Sequence, residues 1–144
     1  MNCTATTETE HLEAPAECLV EMPLGLLGFE RFKRFALVSN PADEPFLWLQ
    51  VLDDPKPAFL VVSPFAVRPD YRADIPQEDA RFLGLEDPSE GLLFNIVTVH
   101  GPNQATVNLK GPILMNRRTL VAKQVIPLNA AELPVSAPLP VQGN

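Results

Sequence analysis

AFLVVSPFAVRPDY at Ala58–Tyr71 and NLKGPILMNRRTLVAKQVI at Asn108–Ile126 decide the fold. Each is a strand-like apolar run broken by Pro or Gly, with polar residues at isolated positions. Neither holds a nucleophile beside a base, a cluster of metal ligands or a phosphate loop. That combination predicts a small β protein whose product is a surface, a binding protein and not an enzyme.

Similar runs lie on either side. ECLVEM (17–22) and FALVS (35–39) read as strands, and Cys3–Thr9 as a weaker first one. FLWLQVL (46–52) is apolar at nearly every position, which suits a strand covered on both faces. The Pro-containing DDPKP at 53–57 reverses the chain, so the strand at 58–63 pairs with it. LLFNIVTVH (92–100) alternates after its start; Ala105–Leu109, Ile113–Asn116 and Leu120–Ile126 complete the set. Asp74–Gly84 has Pro76 near its first turn, acids beside it and Gly84 as a stop, which predicts the one short helix. The sum is an all-β, mainly antiparallel, small barrel-like single domain over residues 1–129, followed by a flexible Pro-rich tail at 130–144.

Composition agrees with one domain and narrows the function. The chain has 144 residues, a length that supports a workable core. Sixteen prolines against seven glycines disfavour long helices and favour short strands and edges. A net charge of −7 argues against direct nucleic-acid binding, which needs phosphate neutralisation, and suits a basic partner or plain solubility. Residues 1–30 carry acids and no Lys or Arg, whereas 91–131 carry Lys110, Arg117, Arg118 and Lys123 and no acid, a small basic strip. The N-terminus is polar and acidic, unlike a signal peptide, and no apolar run reaches membrane-spanning length. Cytoplasmic location is the expectation; Cys3 and Cys18 could face each other on paired N-terminal strands, but reduced thiols are expected.

Candidate chemistry is sparse. His11 and His100 are the two histidines, and neither sits in a nucleophile motif. GLLGFE (25–30) lacks both phosphate-loop spacings; Gly25 and Gly28 read as turn glycines and Phe29 as a core plug. Asp70, Asp74, Asp79, Glu86 and Asp87 lack the spacing of a calcium loop and read as a solvated face or a contact for a basic partner. Trp48 and the other strand aromatics read as core. No catalytic residue, metal or cofactor is expected.

LGLLGFE (24–30), DEPFLWLQVLDDPKPAFLVVSPFAVRPDY (43–71), ATVNLKGPILMN (105–116) and LVAKQVI (120–126) together resemble the flagellar assembly factor FliW family, in order and with similar spacing over about Glu17–Leu128. The resemblance implies a small cytoplasmic protein without catalytic activity. It implies two partners: the carbon storage regulator CsrA, a small RNA-binding translational repressor, and flagellin, which competes for the factor so that flagellin synthesis follows export. The Pro-rich tail and the N-terminal segment match that family least.

The contacts expected from these motifs are Phe65, Arg68, Pro69, Asp70 and Tyr71, with Asn108, Lys110 and Asn116 as a second patch. Phe65 and Tyr71 would anchor a partner and Asp70 would meet a basic group, while Gly25, Gly28 and Trp48 would serve folding. The chain is expected to be a monomer without direct nucleic-acid or membrane binding. The competing reading is a small-molecule-binding barrel, which needs an interior cavity with some polar lining.

Overall fold

The computed structural model describes residues 16–53 and 56–139; the weak strand expected at Cys3–Thr9 lies outside them. Strands β1 (Ala16–Glu21), β2 (Arg34–Ser39), β3 (Leu47–Val51) and β4 (Ala58–Val62) form an antiparallel meander. A short helix α1 (Pro64–Val67) follows, then α2 (Gln77–Phe82). β5 (Gly91–Gly101), β6 (Gln104–Val107), β7 (Ile113–Asn116), β8 (Ala122–Gln124) and β9 (Ala137–Leu139) complete the sheet.

β5 organises the second half. It is 11 residues long and serves three neighbours. Its N-terminal part, Gly91–Phe94, pairs with β7, its middle pairs with β4, and its C-terminal part pairs with β6. β6 in turn pairs with β9, and β7 with β8. The sheet therefore splits along β5 and does not close into a barrel. Among the described residues its ends meet through an isolated parallel bridge between Glu21 and Val121. The antiparallel single-domain expectation holds, with two short helices where one was expected. The segment read as a flexible tail enters the sheet as far as Leu139, because Leu133 and Ala137 bury apolar side chains against Val107 and Leu109.

Period-two alternation builds the core. In β1, Cys18 and Val20 face in while Leu19 faces out; in β3, Leu49 and Val51 face in. These meet Phe35, Leu37, Val61, Ile113 and Met115 in the main cluster. Phe35 is fully buried, and such burial stabilises by about 2–3 kcal/mol. Cys18, read as a reduced thiol, is disulfide-bonded.

The helix expected at Asp74–Gly84 is α2. Gly84 ends it at φ +70°, the left-handed conformation that glycine adopts most readily. Its Asp79, read as part of a solvated acidic face, is buried and pairs with Lys123 of β8, whose ammonium also lies 5.4 Å over the Phe82 ring. The basic strip is thus partly consumed inside the fold.

Candidate contact surfaces

The first expected patch is the α1 turn. Ser63 caps the helix by accepting from the Phe65 N–H (3.3 Å), and Pro64 starts it where its missing N–H costs no helical hydrogen bond. The Arg68 N–H closes on the Pro64 carbonyl (2.8 Å), and the Tyr71 N–H on the Arg68 carbonyl (2.9 Å). This compact turn leaves Phe65, Arg68, Pro69 and Asp70 exposed side by side. Tyr71 does not join them. It is 5% exposed, and its hydroxyl donates to the buried Leu109 carbonyl at 2.8 Å. Burial raises its pKa above the ordinary phenol value, with a hydrogen bond to Asn95 acting in the opposite direction. Phe65, 49% exposed, rests edge-on against the Tyr71 ring with centroids 6.0 Å apart. Tyr71 is therefore the internal post and Phe65 the outward ring, a correction to their pairing as twin anchors.

The second patch divides as well. Asn108 Oδ1 accepts from the Lys110 and Gly111 N–H groups, each at 3.0 Å, and so fixes the turn at 108–111. Lys110 Nζ donates to the Ala130 carbonyl at 2.8 Å, leaving the side chain half-buried at a rim. Asn116 is 0% exposed. Its amide donates to the Leu83 carbonyl (2.8 Å) and its oxygen accepts from the Arg118 and Thr119 N–H groups, tying α2 to the β7–β8 turn. It offers a partner no surface.

Asn108 and Lys110 instead open onto a surface groove of about 810 Å³. Its walls carry Leu27, Phe29, Trp48, Val99, Ile126 and Val135. Phe29 is 46% exposed and Trp48 38%, so neither is the core residue it was expected to be. Trp48 alternates outward from Leu49 and donates its indole N–H to Asp43 (3.4 Å). Period two within FLWLQVL carried that signal, but the unbroken apolar run concealed it. Phe29 is held out by the Leu26–Phe29 turn, which Gly25 enters at φ +70°. A Cβ on Gly25 would lie 2.5 Å from the Glu30 carbonyl oxygen. The Glu30 carboxylate accepts from the Gly28 N–H, which holds its pKa below the usual carboxylate value. Gln124 braces the two sides: its amide donates to the Gly111 carbonyl (2.9 Å) and its oxygen accepts from the Leu27 N–H (2.9 Å).

Among the described residues, the main core cluster holds no comparable space. The void at the centre of the main cluster is about 10 Å³ and lined by apolar side chains such as Val20, Leu37, Val61 and Met115. That is about the volume of one water-sized probe, so the interior-ligand reading loses its premise. Among the described residues no group of acidic, His or Cys side chains has the arrangement of a metal site, and no helix is long and apolar enough to cross a membrane.

The chain matches the FliW protein family over residues 3–139. It belongs to the FliW family. The flagellar assembly factor FliW of Leptospira interrogans is 39% identical over 113 residues, covering 77% of this chain and 75% of that protein. That of Treponema denticola is 38% identical over 116 residues, covering 80% and 78%. A crystal structure of the flagellar assembly factor FliW superposes with a TM-score of 0.78 at 27% identity, over 95% of this chain and 92% of that one. FliW proteins are assembly factors and not enzymes.

Proposed function

We propose that this chain serves flagellar assembly as a cytoplasmic partner switch. It binds CsrA, which relieves repression of flagellin mRNA, and it binds flagellin, which competes for it in a chaperone-like contact. The observation that carries this reading is the Trp48 groove, an exposed apolar surface beside a main core cluster whose void is about 10 Å³. Apolar residues gathered on one face, with a polar rim from Asn108 and Lys110, have the composition of a protein-binding surface. The exposed α1 turn, with Phe65, Arg68, Pro69 and Asp70, is the second contact surface. A net charge of −7 favours encounter with a basic RNA-binding regulator. Titration with CsrA followed by flagellin tests the reading. Binding that flagellin displaces supports it, and a folded protein that binds neither defeats it.

A further inference from the structure

Among the described residues, the edge of β5 that faces β4 carries no strand at its N-terminal end, Gly91–Leu93. The Arg117 N–H donates to the Glu90 carbonyl, and the Asn108 N–H to the Ile96 carbonyl. Peptide groups along a strand alternate between its two edges. Those of even-numbered residues in β5 therefore face β7 and β6, and those of Gly91, Leu93, Asn95 and Val97 face the other way, toward β4. The β4 ladder reaches only the pair Val62–Asn95. Two residues on, Pro64 would stand opposite Leu93. Proline has no N–H to give, and here it begins α1 and turns the chain away. On that side the ladders give Gly91 and Leu93 no strand partner.

The space beside this edge is a cleft of about 850 Å³ between α1 and β5. Its floor is apolar, with Ile75, Leu85, Leu92, Phe94 and Leu114, and Phe65 stands at its mouth. Its rim is acidic. Asp74, Glu86 and Asp87 face a single cation, Arg117, among the lining residues. Arg72 pairs with Asp74 at 3.2 Å, which leaves Glu86 and Asp87 as the exposed acids. Asp87 also accepts from the Ser89 N–H, which holds its carboxylate in place and lowers its pKa.

We propose that this cleft receives an extended, basic peptide segment of a partner protein, which adds as a strand to β5 at Gly91–Leu93. Main-chain hydrogen bonds to the open edge supply register, alternate apolar side chains enter the floor, and Lys or Arg side chains meet Glu86 and Asp87. The charge of the rim selects a basic segment over an acidic or neutral one. Strand addition here rests on the reading of the α1 face as a contact surface. Its probe is neither CsrA nor flagellin, so the two readings fail separately.

The probe is a synthetic peptide of about eight residues that alternates Val with Lys, a length typical of one strand. It is titrated into the isotopically labelled full chain to about 1 mM, where even a weak complex registers. Binding is expected to protect the Leu93 amide from hydrogen exchange. Methylating alternate peptide nitrogens, which removes the edge hydrogen bonds and nothing else on the protein, is expected to weaken binding about tenfold. A Glu86→Gln, Asp87→Asn double variant keeps the Asp87 turn acceptor and is expected to weaken binding by several-fold and to flatten its salt dependence. An alternating Val–Glu peptide is expected not to bind. The proposal is overturned if the Val–Lys peptide fails to bind, if the methylated peptide binds equally well, or if the Leu93 amide is unprotected in the complex. It is also overturned if sedimentation shows that the edge is already occupied by a second copy of the chain.

Discussion

Replacing Tyr71 with Phe separates the inward role of this residue from the outward role of Phe65. The change deletes one oxygen. The ring stays, still edge-on against Phe65 and still packed with Val107 and Leu133. What disappears is the hydroxyl's hydrogen bond to the Leu109 carbonyl at 2.8 Å, together with its interaction with the Asn95 side chain. Leu109 is fully buried, so water does not readily replace the donor. Leaving a buried acceptor unpaired costs about 1–3 kcal/mol, offset in part because no hydroxyl need be desolvated, so a net loss of about 1–2 kcal/mol is expected. Urea unfolding measures it as a lower midpoint at unchanged slope. Affinity for CsrA and flagellin is expected to stay within about twofold, under about 0.5 kcal/mol. Phe65→Ala should do the reverse: little stability is lost from a half-exposed ring, while affinity at the α1 face falls. A pH series adds a second signature. Burial raises the Tyr71 pKa in the folded state, so its contribution is complete below the unfolded phenol value near 10 and is lost as pH climbs through the raised folded value. Tyr71→Phe should remove that part of the alkaline loss. A Tyr71→Phe protein with wild-type stability and weakened partner binding would refute the assignment, because the hydroxyl would then be facing the partner.

Three further outcomes follow from the same geometry. Trp48→Ala should cost about 1 kcal/mol or less in stability yet weaken partner binding about tenfold or more, since a half-exposed Trp in an apolar groove has the character of a hot spot; calorimetric titration reads the affinity and urea unfolding the stability. Gly25→Ala should lose about 2–4 kcal/mol, because it adds a Cβ 2.5 Å from the Glu30 carbonyl oxygen at φ +70°, and a fall in thermal midpoint would check it. Asp79→Ala should cost about 2–3 kcal/mol by leaving Lys123 half-buried without its partner, and the Asp79→Ala, Lys123→Met double variant should recover part of the loss in a double-mutant cycle.

Strand positions were legible in the sequence because they follow from alternation and from punctuation by Pro and Gly. The stretch at 92–100 lies within β5, and Ile113–Asn116 coincides with β7. What the sequence concealed was non-local. β5 reads as one strand, but nothing along it reveals that Gly91–Phe94 and Val97–Gly101 serve different neighbours, which is why a closed barrel was expected and a split sheet resulted. β9 was hidden for a related reason: prolines at 134, 138 and 140 argue against a strand, yet Pro138 sits in an edge strand, where a missing N–H is tolerated.

The loops expected as contact surfaces do reach the surface, but several side chains within them point elsewhere than expected. Phe65, Arg68, Pro69 and Asp70 are exposed together, and Asn108 and Lys110 reach the groove rim. Tyr71 and Asn116 were drawn in with them because a polar atom in an apolar run suggests a surface role. Here each polar atom meets a backbone group from a distant segment, Leu109 in one case and Leu83 in the other. Trp48 and Phe29 failed in the opposite direction, since an aromatic in an apolar run suggests core.

The central claim is that this chain exchanges two protein partners through its exposed surfaces, and sequential titration tests it most directly. Purified protein is saturated with CsrA from the same cell, flagellin is added, and the complexes are resolved by size and quantified, with a Trp48→Ala sample alongside. The account predicts a CsrA complex that flagellin dissolves as its own complex forms, with both complexes weakened by the Trp48 substitution. A folded protein that binds neither partner, or that binds both with affinity indifferent to Trp48, would contradict it.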